Sequence, residues 1–194
     1  MTYPSSTKDN LLNGQAFTQA SLHTGFPGTT GANEVAGGAP AYARKNITMN
    51  ASAGGSGRTL NAAVTFDVPA TTVRWVGFWN GGTFIGCAPN GGATPKNFMA
   101  LPSTDVIYLA GHGWGDGQKI VFLQGSVGGI TEGAVMYTRD TTTDTFKVAA
   151  TPGGSSIDIT SAASFGCVVC AITEDVYAAQ NTHQLSSASM QIPD

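Results

Sequence analysis

Three stretches of this sequence carry residue types and spacings with chemical potential. His23 and Glu34 lie in "SLHTGFPGTTGANEVAGGAPAYAR", residues 21–44, where an imidazole and a carboxylate suit acid–base work or metal ligation. His112 and Asp116 lie in "GHGWGDGQ", and Cys167 and Cys170 form a Cys-x-x-Cys. A general base needs its partner within hydrogen-bond reach, and a metal site needs at least three protein ligands. Neither histidine has a third ligand nearby in sequence. A redox dithiol sits at a helix N-terminus, whereas Phe165–Ile172 is an apolar β run. Along a strand an offset of three places Cys167 and Cys170 on opposite faces, so they cannot share a metal. A Gly-x-Ser-x-Gly elbow and a Walker lysine are both missing from the sequence, and Asp140 and Asp144 flank a threonine turn rather than a calcium loop. The expectation is a non-enzyme with no catalytic residues, no cofactor and no metal.

The same residues have structural work to do. Pro27 fixes one φ in the loop after His23, and the glycines around it permit positive φ. Asn33 can satisfy backbone groups locally, Glu34 can pair with Arg44, and His23 can bond a loop carbonyl through one ring nitrogen. His23, Pro27, Asn33, Glu34 and Arg44 are therefore read as a structural loop. In "GHGWGDGQ" glycines alternate with every other residue, and Asp116-Gly117 is a hairpin signal. Trp114 then packs over the turn or faces a partner. Trp114, His112, Trp75 and Trp79 are the candidates for an interface or ligand contact, although for Trp75 and Trp79 a sandwich core is the favoured reading. His183 reads as a surface residue.

These groups must be positioned by strands. Charged residues make up only 11% of the 194, against a typical ~25%, and 26 residues are glycine. That composition suits short strands and tight turns. A net charge of −3 and the lack of basic clusters argue against nucleic acid as a partner. No run reaches the ~20 apolar residues of a membrane helix, and the opening residues lack the order of a secretory leader. Folding in a cytosol with free thiols is expected. A short helical turn is predicted around Lys8–Asn13, with Asp9-Asn10 as its cap. Strands are predicted over Gln15–His23, Tyr42–Met49, Leu60–Val68 and the aromatic stretch Val73–Trp79, which turns at Asn80-Gly81-Gly82. After Cys87 a second series of strands follows, including a strand, Gly-rich turn and strand across residues 105–123. The last strand is predicted near Gln184–Ile192.

Two segments resemble known families. "LLNGQAFTQASLHTGFPGTTGANEVAGGAPAYARKNITM", followed by "VTFDVPATTVRWVGFWN", resembles small tailed-bacteriophage proteins described as tail-fibre-like or minor tail proteins. The likeness lies in the Leu-His-Thr strand end, the Gly-Ala-Asn-Glu-Val loop, the Tyr-Ala-Arg and Val-Thr-Phe strands, and the aromatic strand leading into Gly-Thr-Phe. "DVIYLAGHGWGDGQKIVF" with "TEGAVMYTRDTTTDTFKVAATPGGSSIDIT" looks like a small β module of phage structural proteins. "EDVYAAQNTHQLSSASMQI", residues 174–192, is similar to the ending of the first family.

The resemblance implies an all-β chain: a β-sandwich-like domain, residues 1–102 plus 173–194, carrying a small β-barrel-like module, residues 103–172. The module is expected as an insertion, with a consecutive, appended arrangement as the alternative. The implied function is that of a virion structural protein, assembled in the bacterial host cytoplasm with other virion proteins and copies of itself. A minor tail or tail-fibre-like place is favoured over capsid decoration. A third reading, which rests on the Trp114 turn and not on the resemblance, is binding of a host-surface glycan. Neither family pattern brings a catalytic set with it.

Overall fold

Alternating apolar residues become short paired strands spread along this chain. A computed structural model describes residues 3–192. By its contacts the chain divides into one unit formed by the residues through Ala88 together with those from Asp175, and a second formed by Pro89–Glu174. Among the described residues the fold is all-β apart from one helix. The contact boundaries fall at 88/89 and 174/175, where the sequence reading placed them at 102/103 and 172/173. Residues 96–101 account for most of the difference, because they pair with strands of the second unit.

The first unit opens with helix α1, Ser5–Gly14. It is longer than the predicted turn, because Pro4 starts it and its carbonyl accepts from the N–H groups of Thr7 and Lys8. Asp9 does not cap. Its carboxylate reaches across to accept from Ser52 Oγ–H and Gly55 N–H, which holds it below the ordinary aspartate range. Strands β1 (Gln19–His23), β2 (Lys45–Asn46), β3 (Arg58–Thr59), β4 (Val64–Val68), β5 (Thr71–Val73), β6 (Trp75–Asn80) and β7 (Thr83–Pro89) follow. A four-stranded sheet has the order β2-β1-β6-β7, with β6 and β7 joined at Gly81-Gly82. Tyr42–Met49 is not a continuous strand. Tyr42 follows the turn at residues 38–41, and its hydroxyl accepts from the Leu22 N–H at 2.7 Å, so only Lys45–Asn46 remains to pair with β1.

Arg58 fastens the helix end to this unit. Its guanidinium donates to the carbonyls of Leu12 and Asn50, each at 3.3 Å, of Met49 at 3.2 Å, and of Gln15. Replacing Arg58 by methionine keeps the stem but strands four acceptors. Urea unfolding should show a loss of about 2 kcal/mol, and an unchanged midpoint would count against this role.

In the second unit the strands are β8 (Lys96–Asn97), β9 (Met99–Leu101), β10 (Val106–Tyr108), β11 (Lys119–Leu123), β12 (Met136–Arg139), β13 (Thr145–Ala149) and β14 (Val168–Ala171). They form one antiparallel sheet with the order β8-β14-β11-β12-β13-β10-β9. The two ends of that order are neighbours in sequence. One continuous segment, 96–101, pairs with β14 at its start and with β10 at its end. The sheet therefore curls onto itself in a barrel-like way around one core, which contains Ile107, Ile120, Phe122, Phe146, Val148 and Val169.

The Gly-rich stretch between β10 and β11 is not the predicted hairpin, because β13 and β12 lie between those strands. It is a crossover loop, and the short-turned hairpins of this unit are β9–β10 and β12–β13. Cys167 joins the core beside Val169, while Cys170 is buried on the opposite strand face, where burial pushes its thiol up to about 11.

The chain then returns to the first unit with β15 (Asp175–Tyr177), β16 (Asn181–Leu185) and β17 (Ser189–Met190), which pair with β5, β4 and β3 respectively. The core of this unit lies between the four-stranded sheet and β4. Ala20, Leu22, Val76 and Phe78 meet Phe66, Val68 and Leu185 there. His183 is not on the surface. It lies opposite Phe66 and is buried, with Nδ1 3.0 Å from Tyr177 Oη and 3.6 Å from Asp175.

Candidate functional site

The first face to consider is the side of β1 and β6 turned away from the core. The register sets His23 opposite Trp75, Ser21 opposite Gly77 and Gln19 opposite Trp79. Period-2 alternation thus gathers Ser21, His23, Trp75 and Trp79 on one side of the sheet. The loop after His23 folds back over this side. Thr24 N–H donates to Asn33 O at 2.9 Å, Val35 N–H donates to Leu22 O at 2.9 Å, and the Pro27 carbonyl accepts from Gly31 and Ala32. Asn33 adopts φ 60° and its side-chain amide donates to Phe26 O at 2.9 Å. Gly31, at φ 77°, passes so close to Trp79 that a Cβ there would collide with the indole.

A directed chain of hydrogen bonds runs beneath the loop. Trp79 Nε1–H donates to Ser21 Oγ at 2.7 Å, Ser21 Oγ is 2.7 Å from His23 Nε2, and His23 Nδ1 is 2.7 Å from Ala32 O. A carbonyl only accepts, so His23 Nδ1 carries the proton and Nε2 accepts from the serine hydroxyl. The imidazole is neutral. Burial holds its pKa below the ordinary histidine value, against the opposing pull of the Ala32 bond and Glu34.

Glu34 and Arg44 lid the arrangement. Arg44 Nε donates to both Glu34 oxygens, at 3.0 and 3.1 Å, and a terminal nitrogen of its guanidinium donates to Oε2 at 2.8 Å. The guanidinium lies 3.3 Å over the Trp79 ring, and Phe84 meets both Trp79 and His23 edge-on. Trp75 is covered by Phe26, with ring centres 5.0 Å apart.

Ser21 beside His23 has the spacing of a nucleophile and its base. Both residues are 0% exposed, and the serine oxygen already accepts from Trp79. The third partner is a backbone carbonyl rather than a carboxylate. This geometry orients a loop; it leaves no room for a substrate at the serine oxygen. Ser21 was not singled out in the sequence, although its place two residues before His23 and across from the aromatic strand is the signal that finds it.

The histidine network carries a pH signature. His23 and His183 are both held below the ordinary value of about 6.5, in each case chiefly by burial. Below that value the unfolded chain binds protons that the folded chain does not. Stability should be level above pH about 6.5 and fall as pH drops towards the folded values, by up to about 1.4 kcal/mol per pH unit for each histidine. Urea midpoints between pH 8 and 5 test this, and His23→Gln should shallow the slope.

The second candidate cluster lies in the crossover loop of the barrel-like unit. His112 Nδ1 accepts from Trp114 N–H at 3.0 Å, and its Nε2–H points to Thr145 O at 3.4 Å. Trp114 and His112 both pack on Phe146, with ring centres 5.5 and 5.3 Å away. His112 is buried and Trp114 half-buried against the core. Asp116 accepts from Thr141 N–H at 2.9 Å, which lowers its pKa, and Asp144 accepts from Gly111 N–H at 2.8 Å. These bonds tie the loop to the tip of the β12–β13 hairpin.

The four residues named as interface or ligand candidates are thus placed inside their own units: Trp75, Trp79 and His112 buried, Trp114 partly so. Among the described residues no three His, Cys, Asp or Glu side chains gather to hold a metal.

Residues 5–93 match the family described as Podophage GP4 fiber I protein gp80. No curated protein and no solved structure matches the chain. The matched stretch contains α1, β1, the folded-back loop, the Glu34–Arg44 lid and the aromatic strand β6, which are the same segments that carry the resemblance in the sequence. The match over residues 5–93 supports the likeness to a tailed-phage virion protein of the tail-fibre-like kind.

Proposed function

We propose that the protein is a tail-fibre-like or minor tail component that assembles through protein–protein contacts with neighbouring virion proteins and with copies of itself. The observation that carries this reading is the family match over residues 5–93. The geometry supports it, because the polar residues of the matched segment shape and lid a loop instead of opening a reactive cleft. In this reading the first unit is the virion-bound domain and the barrel-like unit is a module inserted between β7 and β15. Many copies held in a symmetric assembly would multiply contacts that are individually weak.

Antibody-gold labelling of intact virions, with copy number from quantitative mass spectrometry, tests the proposal. Label at the tail with few copies per particle is expected. Label over the capsid with hundreds of copies would replace this reading with head decoration. Glycan-array binding that is lost in Trp114→Ala would add host attachment to the role.

A further inference from the structure

The C-terminal segment is attached to the first unit unlike any other part of it. From Asp175 to Met190 it runs antiparallel to residues 58–73 in three short ladders, Asp175↔Val73 to Tyr177↔Thr71, Asn181↔Val68 to Leu185↔Val64, and Ser189↔Thr59 to Met190↔Arg58. Residues 178–180 and 186–188 lie outside those ladders. Of its side chains only His183 and Leu185 are buried, while Val176 is 72% exposed. Lifting the segment away removes Leu185 from the buried core, and Tyr177, Ala188 and Met190 from its margin, but leaves Ala20, Leu22, Phe66, Val68, Val76 and Phe78 packed on one another.

The backbone consequence is larger. Without its partner the 58–73 stretch presents an open strand edge, and such an edge re-pairs with any strand that fits it. The fit is specific. Leu185 fills the apolar position beside Val64, and His183 covers Phe66. In the bend between β15 and β16, Gln180 Oε1 accepts from Ala39 N–H at 3.1 Å and its amide donates to Pro40 O at 3.3 Å. Every copy of the chain carries a strand with this match.

We propose that the edge formed by residues 58–73 is a strand-acceptor site, and that its second occupant is the 175–190 segment of another copy of this chain, taken up by exchange when copies are crowded together. An isolated molecule keeps its own segment because the tether gives it a millimolar effective concentration. Packed copies reach comparable concentrations, and exchange then links them without forming any new kind of contact. The inference rests on the fold of the first unit and not on the fibre reading.

The test uses the full-length chain carrying Leu185→Asp, which disables its own strand but leaves the acceptor intact. A fluorescein-labelled peptide of residues 175–192 should bind this variant about tenfold or more tightly than wild type, where the tethered strand competes. It should also raise the variant's melting temperature, and the same peptide with Leu185→Asp should do neither. Failure of the wild-type peptide to bind a folded variant overturns the proposal. If the variant does not fold, hydrogen exchange of the wild-type chain decides. Amides of β15–β17 opening as one block ahead of β1 and β6 is the expected result, and opening of that block only with global unfolding overturns it.

Discussion

Gly77→Val should unfold the first unit. Gly77 sits in the middle of β6 opposite Ser21, and a Cβ there would collide with His23 Nε2 and Ser21 Oγ. Neither atom has room to retreat, because His23 is also bound to Ala32 O and Ser21 to Trp79. Overpacking a rigid site costs about 3 kcal/mol or more, and breaking the Trp79–Ser21–His23 chain adds about 1–3 kcal/mol for each buried group left unpaired. A total of that size is comparable with the whole stability of a small domain. Circular dichroism and tryptophan fluorescence should report a collapsed or unfolded first unit at room temperature. Wild-type-like melting would show that the face is far more yielding than its contacts imply.

Phe146→Ala should be the corresponding lesion in the barrel-like unit. Phe146 is fully buried on β13 and carries His112 and Trp114 on its ring. Truncation leaves a cavity in the core and removes the floor of the crossover loop, at a cost of about 3–5 kcal/mol. Two of the loop's other ties, Asp116 to Thr141 and Asp144 to Gly111, are exposed and cannot make up that loss. Hydrogen exchange should rise across β10–β13 and the loop at 109–118. A change confined to the loop, with β12 and β13 still protected, would mean that Phe146 serves the loop alone.

Much of the first unit was legible because local signals agreed there. The Asn80-Gly81-Gly82 turn, the alternation of Val64, Phe66 and Val68, and the aromatic strand each specify their own geometry within a few residues. The pairing of Glu34 with Arg44, and of His23 with a loop carbonyl, follows the same logic of short reach. Where strands pair across long separations, local signals lose their force. Alternation from Leu60 to Val68 suggested one long strand, yet Ala62 is exposed in a bend and the strand begins at Val64. The glycines of "GHGWGDGQ" match a hairpin as well as a crossover, and only the placement of β12 and β13 between β10 and β11 separates the two. His183 looked solitary because Tyr177, Asp175 and Phe66 surround it only when β16 pairs with β4.

From its sequence alone the chain is all-β, glycine-turned and poor in charge, and its first segment resembles tailed-phage fibre-like proteins. Those properties reside in composition, in period-2 alternation and in turn residues, all of which act over a few positions. The tertiary structure decided what the chemical-looking residues are for. Ser21, His23 and Trp79 become a sealed hydrogen-bonded chain because β1 and β6 pair in one register and a loop closes over them. The C-terminal strands find their place at residues 58–73 for the same reason: a ladder's register is set by which side chains each strand buries, and that is settled only when both strands are in hand.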